Sequence, residues 1–310
     1  MTERASAITS IRRIAISVSD LDAAEFFFAE AFNFEIVKRR QEDVGFANLL
    51  GVSGATVRQT IMCLGDQEIA LLAFDPPGRA YPLGSTSTDL WFQHFAIIVS
   101  DMDAAYRRLQ ATGRYSAISE GGPQTLPPST GSVSAFKFRD ADGHPLELLA
   151  FPSGKGPAYW RDKAKRALFL GIDHSAVSVS DTARSIAFYQ GVLGLTLGEQ
   201  TENTGVAQSQ MDAVRDAVVT VTGLHPAQAP PHVELLGYKV GMRRPVEAGT
   251  RASDIAATMF VMETDALVRI VEGLRSAETV FISPDIVTLA DGSQAIAVLD
   301  PDGHRIVIIQ

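Results

Sequence analysis

Ile14-Ala15-Ile16-Ser17-Val18-Ser19-Asp20 is the stretch on which the fold turns, because the chain writes it again. It returns as Phe95-Ala96-Ile97-Ile98-Val99-Ser100-Asp101 and as Ser175-Ala176-Val177-Ser178-Val179-Ser180-Asp181. A fainter copy is Met259-Phe260-Val261-Met262-Glu263-Thr264-Asp265. The terminal aspartates lie 81, 80 and 84 residues apart, a regularity that marks four repeated modules. Each apolar run reads as a strand and each aspartate as the start of a helix. After Asp101, the residues Met102, Ala105, Tyr106 and Leu109 make an i, i+3, i+4, i+7 stripe that stops at Gly113. A carboxylate there accepts from free N–H groups and suits the helix dipole, so all four aspartates are expected as caps, not as catalytic groups.

Modules two and four close alike, with Asp140-Ala141-Asp142-Gly143-His144 and Asp300-Pro301-Asp302-Gly303-His304 ahead of apolar runs. Asp-Gly between such runs is a strong hairpin signal, and each module reads as strand, helix, three strands. Modules one and three match through Phe27-Phe28-Ala29-Glu30-Ala31-Phe32-Asn33-Phe34 and Phe188-Tyr189-Gln190-Gly191-Val192-Leu193-Gly194-Leu195. The order is therefore A-B-A′-B′, a duplicated two-module domain, expected over 8–152 and 169–310 with a linker at 153–168 that opens on Pro, Gly and Ser.

The chain of 310 residues has length for two domains of ordinary size and for a substantial core. Its 27 Lys and Arg stand against 36 Asp and Glu, a net charge of −9 that argues against a nucleic-acid partner. One cysteine, Cys63, excludes an internal disulfide framework and a Cys-rich zinc site, and is expected as buried filler. The opening residues lack a signal-peptide core, and no apolar run has the length of a membrane span. The expectation is a soluble cytoplasmic protein with no membrane partner.

Val-Ser-Asp, then Phe-Tyr-x-x-x-Leu-Gly-Leu, then Asp-x-Asp-Gly-His-x-x-Glu-Leu resembles the vicinal oxygen chelate superfamily of glyoxalases, bleomycin and fosfomycin resistance proteins and extradiol dioxygenases. The resemblance implies an α+β fold in which four βαβββ modules form two half-open barrels around a divalent metal. With no soft ligands, such an ion would be held by histidine nitrogens and carboxylates, a set suited to Fe, Ni, Mn, Co or Zn. Seven residues before each aspartate stand Arg13, His94, His174 and Thr258, at the strand position where the family carries a ligand. The family's glutamate maps onto Glu147 and Glu234, with Ala70 and Val307 in modules one and four. Pairing two with three would unite His94, Glu147, His174 and Glu234 in one cup and leave a degenerate cup of Arg13, Ala70, Thr258 and Val307. Pairing one with two is the alternative, and would give two sites of two ligands each.

Other residues carry weaker signals. His232 lies two residues before Glu234, on the same strand face, as a candidate substrate contact or an ordinary strand-entry residue. His144 and His304 are accounted for by their turns, His225 gives no signal, and Trp91, Gln93 and Tyr106 read as packing. The loops at 121–128 and 226–231 read as rigid connectors, with lids over the cup as the alternative.

The resemblance implies a small-molecule substrate with vicinal oxygens and an isomerase or lyase in which Glu147 or Glu234 moves a proton through an enolate. An extradiol dioxygenase using two histidines and one carboxylate is the runner-up. A non-catalytic resistance-type binding cup is the third reading, and a homodimer is an admissible assembly.

Overall fold

The computed structural model describes residues 8–310, so the leading segment 1–7, on which the reading of a missing signal core partly rests, lies outside the described residues. Each module has a long opening strand, a helix and a set of further strands, the last of which returns beside the first. The opening strands are Ile8–Ser17, Gln93–Val99, Phe169–Ser178 and Thr258–Thr264. The closing strands Gln67–Asp75, Pro145–Ala150, His232–Tyr238 and Arg305–Ile309 each run parallel to the opening strand of their own module. Parallel neighbours need a long crossover, which the helix and the middle strands supply.

Two nine-stranded sheets result, neither closed into a barrel. In one, Phe169–Ser178 pairs antiparallel with Gln93–Val99, so modules two and three share a sheet. In the other, Ile8–Ser17 pairs antiparallel with Thr258–Thr264, joining modules one and four. Alternation along the strands assigns the faces. Phe95, Ile97 and Val99 enter a single large core with Ile14, Ile16, Leu148 and Ile306 and with the helix residues Phe28, Leu109, Tyr189 and Ile270. Ala96 and Ile98 point the other way, into a separate cluster, and His94 shares their face.

Three aspartates cap as expected: Asp20, Asp101 and Asp181 accept from the backbone N–H of Ala23, Ala104 and Arg184 at 3.0, 2.9 and 3.1 Å. Asp265 does not. The helix of module four, Leu267–Ser276, has Ala266 as its N-cap and starts one residue later. Its free N–H groups are met by Thr264 Oγ1 at Ala266 and by the Gln310 side chain at Leu267. That single residue shifts the register of module four, so the counterpart of His94 is Met259, not Thr258. Met259 belongs to the apolar cluster of the one–four cup with Ala15, Ala70 and Val307.

The Asp-Gly-His turns do more than reverse the chain. Asp140 Oδ1 accepts from the N–H of Asp142, Gly143 and His144, with Gly143 at φ 99°, where a side chain would be strained. Buried His144 then reaches Asp140 Oδ2 through Nδ1 at 2.8 Å and the carbonyls of Ser17 and Ile255 through Nε2 at 3.0 Å. Asp142 accepts from the N–H and hydroxyl of Ser19. Module four repeats the device: His304 Nε2 faces the carbonyl of Ser178, and Asp302 holds Ser180. Turn chemistry alone therefore understates these histidines, which bolt module two to module one and module four to module three. Cys63 is half-buried rather than filler, on the strand Thr56–Leu64. Among the described residues no helix is long and apolar enough to cross a membrane.

Candidate metal centre

The seam between modules two and three places His94, Glu147, His174, His232 and Glu234, all five candidate residues, on two adjacent opening strands and their parallel partners. Ala96 lies opposite Glu147, and Ala176 opposite Glu234, so each glutamate sits one strand over from the histidine of its own module. An extra residue in Phe169–Ser178, between Ile172 and Ser175, locally breaks the ladder with Gln93–Val99. This bulge presents Asp173 and His174 together, the re-aiming that bulges commonly provide beside sites.

His94 Nε2 is 2.7 Å from Glu147 Oε2, and His174 Nε2 is 3.9 Å from the same oxygen. His174 Nε2 is also 3.5 Å from Glu234 Oε2, and His232 Nε2 is 3.4 Å from Glu234 Oε1. One ligand atom from each of His94, Glu147 and His174 falls within 4.8 Å of the others, a group that could hold a metal ion. The arrangement fits an ion better than a hydrogen-bonded core. His94 Nε2 has Glu147 as its one partner, and its buried Nδ1 has no hydrogen-bond partner. Such orphans are rare unless something else completes them.

The charges of the group follow from burial and from its own pairs. Burial pushes His94 down from the ordinary histidine range, Lys137 adding to that effect, so its ring is neutral. Burial also opposes charge on His174, but Glu234, Asp173 and Glu147 outweigh it and raise the group to about 9. Burial pushes Glu234 up, yet His174 and His232 prevail and hold it far below the usual carboxylate range. Glu147 is lowered as well: burial opposes, and His94 and Lys137 overcome it. Without an ion, His174 carries the positive charge that the carboxylates demand.

Several neighbours were not legible as site residues. Asp173 accepts from Trp160 Nε1 and faces His174 Nδ1 at 3.2 Å, which turns His174 Nε2 into the cup. Lys137, directly opposite Glu147 in the sheet, is buried and ion-paired to Asp212 at 2.7 Å. Burial opposes its charge, but Asp212 and Glu147 keep it protonated. His225 stacks on His232 with ring centroids 4.4 Å apart, placing both at the cup. The cavity over these groups measures about 670 Å³, and Leu126 and Thr130 from the module-two loop line it. Trp91 and Gln93 are engaged by Ser85 and Ser175, and Tyr106 packs on Phe136.

The family model for the Glyoxalase/Bleomycin resistance protein/Dioxygenase superfamily matches residues 10–148 and 171–308. The chain belongs to that superfamily. Glyoxalase I from Zea mays superposes with a TM-score of 0.61 at 16% identity, covering 97% of this chain and 92% of its own. A putative dioxygenase from Bacillus subtilis subsp. subtilis str. 168 gives 0.62 at 12% identity, covering 98% and 86%. At such identities the likeness establishes a shared glyoxalase-type fold. No curated protein matches the sequence.

Proposed function

We propose that the two–three cup holds one divalent ion through His94, Glu147, His174 and Glu234, and that the protein is a lyase or isomerase of a small substrate with vicinal oxygens. The observation that carries this reading is the convergence of His94, Glu147 and His174, with His94 Nε2 held only by Glu147. Fe, Ni, Mn, Co and Zn all suit this donor set. A bound ion would supply Lewis acidity and a template for two adjacent substrate oxygens.

The two glutamates divide the remaining work. Glu147 is almost fully buried and pressed against His94, which suits a fixed ligand. Glu234 has 22% of its side chain exposed and stands at longer range from both histidines. It is the carboxylate free to swing, and once His174 is neutral and no longer holds it low it can take a proton next to a substrate carbonyl, leaving an enolate. Lys137 adds positive charge beside the anion that forms, and His232 orients Glu234. The substrate enters through a cavity large enough for a small organic molecule.

One observation favours a second reading. The tight group comprises two histidines and one carboxylate, the set used by Fe(II) oxygenases, with Glu234 outside it. The protein, loaded with Fe(II) under anaerobic conditions, is to be assayed against α-hydroxycarbonyl and catechol panels in D₂O. Oxygen-independent turnover with deuterium at the α-carbon is the expected result. Turnover of a catechol with stoichiometric O₂ uptake would replace the lyase reading by the dioxygenase one. Ligand binding that persists unchanged in chelator, with no turnover, would leave a sequestering cup.

A further inference from the structure

The one–four sheet has its own cup, a second cavity of about 260 Å³. We propose that it binds a small organic monocarboxylate with an apolar body, recognised by Arg13 without a metal.

The same backbone device builds both cups. The strand Ile8–Ser17 carries a bulge between Ile11 and Arg13, as Phe169–Ser178 does between Ile172 and Ser175. Where the second bulge presents Asp173 and His174, the first presents Arg12 and Arg13. Ala70 and Val307 replace the two glutamates, and Met259 replaces the other histidine, so the floor is apolar where the metal cup is polar. The sign of the charge is reversed too. Four cationic side chains, Arg12, Arg13, Lys38 and Arg40, line this cavity with the carboxylates of Glu68 and Asp291. In the metal cup four carboxylates are set against two lysines.

Part of that positive charge is already met. Glu68 pairs with Arg13 at 2.7 Å, Glu263 with Arg12 at 2.6 Å, and Glu42 with Arg40 at 2.5 Å. What is left over points to a ligand. Arg13 is 8% exposed, yet its Nε is buried with no hydrogen-bond partner. Lys38 forms no ion pair among the described residues. A buried guanidinium with an unmet donor is a costly element to keep, and a carboxylate beside it would satisfy the fork geometry it offers. The apolar floor of Ala15, Ala70, Met259 and Val307 then receives the rest of the molecule.

Calorimetric titration of the full chain with benzoate, hexanoate and the neutral isostere benzamide tests this. Benzoate and hexanoate should bind saturably, one per chain, and benzamide at least about tenfold more weakly. Arg13→Gln should weaken benzoate by a similar factor, while His94→Gln in the metal cup leaves it unchanged. If Arg13→Gln does not fold, Arg40→Gln on the rim should lower the affinity severalfold. Equal affinity for benzamide, loss in His94→Gln instead of the arginine variants, or no saturable carboxylate binding would overturn the proposal. None of these outcomes depends on whether the metal cup is catalytic.

Discussion

Metal and proton should compete for His174, and the competition can be measured. Without an ion, the carboxylates of Glu234, Asp173 and Glu147 overcome burial and raise His174 to about 9, so at neutral pH its ring is charged. A ligating imidazole must be neutral, so each ion bound expels one proton from His174. His94 contributes none, because burial already keeps it neutral. Affinity should therefore rise about tenfold per pH unit below about 9, and about a hundredfold between roughly pH 6 and roughly pH 8. Stability of the chelated protein should move the opposite way. Since the folded value lies above the ordinary 6.5, the contribution of His174 is complete below that pH and is lost as pH rises through about 9. Its full size is on the order of 3 kcal/mol. The assay is anaerobic Mn(II) titration with free ion counted by its EPR signal, with urea melts of chelated protein at the same pH values. A pH-independent affinity would refute the argument, because His174 would then not be both protonated alone and ligating when loaded.

Glu147→Gln should keep the fold and lose at least about tenfold in metal affinity, read by elemental analysis after dialysis; unchanged metal content would remove Glu147 from the ligand set. Asp101→Ala should cost about 1 kcal/mol through its lost cap, whereas Asp265→Ala should cost only a few tenths, both from urea midpoints. Equal costs would contradict the one-residue shift of module four. His144→Ala should destabilise by about 2–4 kcal/mol, since it leaves a cavity and strips partners from a buried carboxylate; a change below about 1 kcal/mol in the melt would show that the turn alone suffices.

The pairing of the modules was legible because chemistry-bearing residues were unevenly spread: His94, Glu147, His174 and Glu234 all fell in modules two and three. Strand alternation likewise put His232 on the face of Glu234. What stayed hidden depends on single residues that no period reveals. A bulge adds one position to a strand without altering its composition, so Asp173 looked like an ordinary neighbour of His174 until the ladder showed the break. The faint fourth copy of the repeat concealed a helix starting at Leu267, and the aspartate ruler therefore fell on Thr258 instead of Met259. Lys137 and Asp212 lie 75 residues apart, and only the fold brings that ion pair to the cup.

Two kinds of joint connect the modules, and they join different pairs. Opening strands unite two with three and one with four. The histidine turns unite one with two and three with four, through Ser17 and Ser178. The joints together close a ring in which every module is held by two others. Each turn also braces the far end of an opening strand: His144 that of the strand bearing Arg13, and His304 that of the strand bearing His174. Both nitrogens of His144 face acceptors, which requires each to carry a proton, and its pKa is accordingly raised: burial opposes, and Asp140 prevails. The repeated Asp-Gly-His motif thus sits in the module that follows each braced strand, not in the module that carries it. The turn therefore serves both braced strands alike, the one that bears Arg13 and the one that bears His174.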